Sequence, residues 1–128
     1  MRLFLLAPLF LGACAAAPLH EAQGSPGPAT GGVGETIRIQ NLRLTPLEIV
    51  EDSRCPVDAQ CVWAGRLRVR VAIQAPAFSQ TEILELGQGI ALEDARRLAL
   101  TEALPAPRQG GTPDAAAYRL TFAVGPGD

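Results

Sequence analysis

The chain has 128 residues, 48% of them hydrophobic, with 13 acidic against 11 basic side chains and a formal net charge of −2. That length bounds a single small domain, and the mildly acidic balance argues against a nucleic-acid partner. A single histidine, His20, excludes histidine triads and multi-histidine metal sites.

Arg2 supplies a short positive start, and Leu3 to Leu11 is an apolar run interrupted only by Pro8. At about ten residues the run falls short of the roughly twenty needed to span a bilayer, so residues 1–13 read as a signal peptide. Leu11-Gly12-Ala13-Cys14 resembles the lipobox of bacterial lipoproteins. Small residues admit the chain to a narrow protease site, and the Cys14 thiol accepts the diacylglyceryl group. The alternative is an ordinary signal peptide cleaved near Ala16 or Ala17. Each buried methylene of an acyl chain contributes about 0.8 kcal/mol, so two or three chains on Cys14 form a stable membrane anchor. The expected location is the bacterial cell envelope. Ala15 after the cysteine points to the outer membrane, with the domain facing the periplasm. Residues 14–34, rich in Ala, Gly and Pro and without sustained periodicity, are expected to form a flexible tether.

Residues 35–125 are expected to fold as an all-β domain, a single small antiparallel β-sandwich of about six to seven strands, followed by a tail at 126–128. Ile37 and Ile39 form one apolar face, and the parity flips at Leu42 and Leu44, which predicts a bulge or bend near Gln40-Asn41. Leu47 and Ile49 continue this pair toward the cysteines. Leu67, Val69, Val71 and Ile73 alternate with Arg66, Arg68, Arg70, Ala72 and Gln74, the pattern of a half-buried antiparallel strand. Thr81 to Leu86 predicts a further strand, closed by Gly87 and Gly89. Leu98, Leu100 and Leu104 alternate within Ala95 to Leu104. Leu92, Ala95, Ala99 and Ala103 also fit a helical spacing there, but a strand supplies the sandwich with the partner it needs. Tyr118, Leu120, Phe122 and Val124 predict the last strand, after a surface loop over 109–117.

The segment Glu51 to Gly65 concentrates the remaining chemistry. Cys55 and Cys61 are the two cysteines left after lipidation of Cys14, and export to an oxidising compartment predicts a disulfide between them. Closing so short a loop restricts the unfolded chain by roughly 2–2.5 kcal/mol. Arg54 lies beside Asp52 and within reach of Asp58, so an ion pair bracing the turn is expected. Trp63 is expected to pack on the disulfide beneath the sheet, and Gly65 to allow a bend before the next strand. Two cysteines without a histidine make an incomplete zinc site, so no metal or other cofactor is expected. Glu51, Asp52 and Asp58 could alternatively bind calcium or form a glycosidase pair, but neither spacing nor a cleft supports it. Arg66, Arg68 and Arg70 on one face could hold an anionic glycan or lipid, or pair with acids such as Glu82, Glu85 and Glu102.

Asp52-Ser53-Arg54-Cys55-Pro56, a short polar insert, then Cys61-Val62-Trp63-Ala64-Gly65 resembles a motif of small bacterial exported proteins and lipoproteins of uncharacterised function. The resemblance implies an all-β domain with a shared loop and no assigned substrate.

The leading functional expectation is a non-enzymatic envelope lipoprotein with a structural or binding role toward another envelope protein or glycan. The loop residues Glu51, Asp52, Arg54, Asp58 and Trp63 are the candidate brace or contact set. The alternative is an envelope inhibitor presenting the disulfide-braced Arg54 loop to a hydrolase, and behind it a thiol–disulfide redox protein. Exchange enzymes place their cysteines closer together, at the start of a helix.

Overall fold

The computed structural model describes residues 24–127. The stretch expected to be a signal peptide, the expected lipidation site Cys14, and His20 lie outside the described residues. Alternating apolar positions build eight strands: β1 (Ala29–Gly31), β2 (Ile37–Ile39), β3 (Leu42–Asp52), β4 (Leu67–Gln74), β5 (Ser79–Glu85), β6 (Gly89–Ala91), β7 (Arg97–Leu104) and β8 (Arg119–Gly125). They form two antiparallel sheets with strand orders β2-β3-β4-β5 and β1-β8-β7-β6, packed face to face as a small β-sandwich.

The core follows the alternation. Leu67, Val69, Val71 and Ile73 of β4 have no exposed surface, while Arg68, Arg70 and Ala72 between them stay half-buried on the outer face. Leu98, Leu100, Leu120 and Phe122 meet them from the second sheet, all fully buried. At roughly 1.5–3 kcal/mol for each such side chain, this inner layer is the main source of stability.

Gln40 and Asn41 make a tight turn, with Gln40 at φ 53°, so the parity flip there is a hairpin joining β2 to β3. Two register shifts, between Pro46 and Glu48 and between Ile49 and Glu51, bend β3; Leu47 sits outward at the first of them, and the shift brings Ile49 onto the inner face opposite Val69. Another shift, between Leu100 and Glu102, buries Ala103 and leaves Leu104 exposed. The segment from Leu92 to Arg96 is a turn closed by Leu92 N–H donating to the Arg96 carbonyl, and the helical alternative ends there. The count exceeds the expected six to seven because β1 and β6, three residues each, show too little alternation to be read. β1 falls inside the span read as tether and pairs with β8 through Ala29, Thr30 and Gly31, so the sandwich begins before Glu35.

Candidate functional site

At the end of the sandwich where β3 runs out, three side chains meet. Asp52 is the last residue of β3, Arg54 follows two residues later, and Tyr118 stands just before β8. Arg54 donates from Nε to Asp52 Oδ1 at 2.8 Å and from Nη2 to Asp52 Oδ2 at 3.0 Å, a bidentate pair. Tyr118 donates its hydroxyl to Asp52 Oδ2 at 2.6 Å. Two further guanidinium protons reach across to the end of β7, from Nη1 to the Ala103 carbonyl at 3.2 Å and from Nη2 to the Pro105 carbonyl at 3.1 Å. The Arg54 and Asp52 side chains are 12% and 4% exposed, and Tyr118 is 1% exposed. Together they clasp the two sheets.

The electrostatics match that geometry. Burial works to raise the Asp52 pKa, but the hydrogen bonds from Arg54 and Tyr118 and the guanidinium charge hold it below the usual carboxylate value. Arg54 is raised chiefly by its bonds to Asp52. Burial, and then the Asp52 carboxylate, push the Tyr118 hydroxyl up to about 12. At neutral pH the arrangement therefore holds Asp52 as the carboxylate and Tyr118 as the phenol.

The cysteine loop rises from this clasp. Cys55 and Cys61 form the disulfide. The stem is paired by Ser53 N–H donating to the Arg66 carbonyl at 2.8 Å and Cys55 N–H donating to the Ala64 carbonyl at 3.2 Å. Gly65 has φ 66°, and a Cβ there would stand 1.7 Å from the Ser53 carbonyl oxygen, so only glycine closes the stem. Val57 N–H donates to the Pro107 carbonyl at 2.9 Å, and Gln109 bonds Asp58 through both its backbone N–H and its side-chain amide, each at 3.0 Å.

Several expected partnerships are redistributed. Asp58 serves the 107–109 strap and does not pair with Arg54. Glu51 pairs with Arg66 and Arg68, and Glu48 with Arg70, so the arginine row is matched from β3 and not by Glu82, Glu85 or Glu102. Glu51, Asp52 and Asp58 each serve a different partner and do not converge on one point.

Trp63 is the clear correction. It does not pack beneath the sheet but is 67% exposed, beside Val62 at 93% and on the same loop as Val57 at 60%. Leu104 adds a fourth exposed apolar side chain on the segment leading to the strap. The loop lies beyond the end of both sheets, so no sheet face is available to cover the indole. Beside the clasp, an open groove of about 420 Å³ runs along β3, lined among others by Val33, Leu47, Val50, Pro113 and Tyr118. Its carboxylates, Glu48, Glu51 and Asp52, are each paired with an arginine.

Arg54 is thus turned inward and cannot be offered to a hydrolase, which removes the feature the inhibitor reading required. Tyr118 as a partner of Asp52 was invisible to sequence reasoning, because it lies 66 residues away. Comparison with protein-family models, with curated proteins and with solved structures finds no match for this chain.

Proposed function

We propose that the protein is a non-enzymatic cell-envelope lipoprotein, anchored through Cys14, whose β-sandwich is a binding module. Membership in the family carrying the Asp52–Gly65 motif belongs to the same proposal. The supporting observation is the exposure of Val62 and Trp63 on a loop that a disulfide and flanking hydrogen bonds hold in place. An exposed indole on a pre-ordered loop contributes large contact area at low ordering cost, the property of a binding hot spot. The clasp beneath it serves to hold that loop, and its fully paired charges supply no reactive group.

Trp63 is the chain's one tryptophan, so its fluorescence reports the loop directly. Titrating the protein with isolated envelope fractions or purified peptidoglycan is expected to shift its emission to shorter wavelength. Trp63→Ala is expected to weaken binding by at least 2 kcal/mol, about thirtyfold, while leaving thermal stability unchanged. Retained crosslinks to the same envelope components in both Trp63→Ala and Val62→Ser would sink the reading.

The anchor has its own test. Cys14→Ser is expected to abolish incorporation of labelled palmitate and release the protein from the membrane fraction. A wild-type chain that takes up no label removes the lipoprotein assignment and leaves the binding loop to be judged separately.

A further inference from the structure

The hairpin at the opposite end carries an arrangement that folding alone does not favour. Arg38 on β2 and Arg43 on β3 stand directly opposite each other across the strand pair, and both are exposed. Like charges in that position destabilise a sheet. Arg54, Arg66, Arg68, Arg70, Arg96 and Arg119 all have carboxylate partners, whereas among the described residues Arg38 and Arg43 have neither an ion pair nor a side-chain hydrogen bond. The nearby turn holds Glu93 and Asp94, but Asp94 is taken by Arg96, which also donates to Gln40 Oε1 at 2.7 Å and steadies the hairpin.

The chain reaches the domain at the same place. Gly24 N–H donates to the Gln40 carbonyl at 3.0 Å, and Gln40 N–H donates to the Ser25 carbonyl at 2.9 Å. A Cβ on Gly24 would stand 2.5 Å from the Arg38 carbonyl carbon, so the incoming backbone lies directly against this strand. The ten residues from Cys14 to Gly24 reach at most roughly 35 Å. Any anchor at Cys14 therefore lets the arginine pair reach the lipid and holds it within roughly 35 Å of it. The Trp63 loop sits at the other end of β3, roughly 35 Å farther along the strand.

We propose that the β2–β3 hairpin docks through Arg38 and Arg43 onto anionic phosphate headgroups of the membrane in which Cys14 is anchored. The proposal rests on the lipoprotein reading for its geometry. The cross-strand repulsion is retained because lipid phosphates, and not a carboxylate of the domain, neutralise it. Docking fixes the sandwich upright and turns Trp63 away from the bilayer.

The test uses the full chain isolated with its anchor and reconstituted into vesicles of phosphatidylcholine, with or without phosphatidylglycerol. Amide hydrogen exchange across residues 38–43 is expected to slow only where phosphatidylglycerol is present, and to recover at high salt. Each arginine contributes roughly fivefold to the docked population, so Arg43→Glu is expected to abolish the protection. The same substitution creates an opposite-charge pair with Arg38 and is expected to raise the melting temperature by roughly 2–4 °C. Stability and docking thus move in opposite directions, which a purely structural role cannot produce. Equal exchange on both vesicle types, or an Arg43→Glu variant protected like the wild type, overturns the proposal. If mass analysis finds no acyl chains on the protein, the anchor reading fails on its own. Salt-sensitive sedimentation of that unlipidated chain with phosphatidylglycerol vesicles still supports the arginine surface, and its absence overturns it.

Discussion

Replacing Arg54 with methionine is expected to lower folding stability by about 3–5 kcal/mol, a large part of what a domain of this size possesses. The substitution keeps most of the aliphatic stem but strands the Asp52 carboxylate, 4% exposed, with Tyr118 as its remaining side-chain donor. It also leaves the Ala103 and Pro105 carbonyls without the donor that ties the second sheet to the first. Urea denaturation measures the loss as a lower midpoint with unchanged slope. The double variant Arg54→Met with Asp52→Leu removes both charges and is expected to recover much of the stability, since a buried ion pair costs more when halved than when replaced. A single variant within 1 kcal/mol of wild type would show that the clasp does not hold the sheets.

Alkaline titration is expected to give the second large effect. Tyr118 is the chain's one tyrosine, so phenolate absorbance follows it without interference. Its folded-state pKa of about 12 lies above the ordinary 10.0. A group raised on folding contributes stability that is fully present below its unfolded pKa and is lost as pH climbs through the folded value. Between pH 10 and 12 the domain is therefore expected to lose about 2–3 kcal/mol, with phenolate appearing as the sandwich opens. Tyr118→Phe should flatten that limb while lowering stability at neutral pH by about 1–3 kcal/mol, the cost of a lost hydrogen bond to a buried carboxylate. The acid side runs the other way. Asp52, held below its ordinary 3.8, contributes stability that is present above that value and lost as pH falls through the lower folded one. A tyrosine titrating near 10 in the intact fold would contradict the clasp geometry.

Strand faces were legible wherever apolar residues alternate without interruption, as in β4 and β8, because a period of two leaves one face to bury. They became illegible at the register shifts. Leu104 has the composition of a core residue, yet a single extra residue in β7 reverses its facing, and the shift after Pro46 in β3 turns Ile49 inward while Leu47 stays out. The disulfide followed from counting cysteines, and the Asp52–Arg54 pair from their spacing. What lay beyond reach was everything the pair touches across the sandwich, since Tyr118 and the Ala103 and Pro105 carbonyls are brought in only by the packing of one sheet on the other. Trp63 misled for a related reason. A bulky aromatic beside a cysteine reads as core, and only the placement of the loop beyond both sheets shows that nothing covers it.

The pairing of β1 with β8 bears on how such a chain is made. Thr30 and Thr121 share a hydrogen bond across 91 residues, so the strand that emerges first waits for the one that emerges last. The Arg54 guanidinium likewise waits for carbonyls about fifty residues downstream. A polypeptide emerging from its N-terminus cannot complete this topology before its last strand is available. The second sheet and the clasp close only when β8 arrives, the slow, non-local closure typical of sandwich topologies.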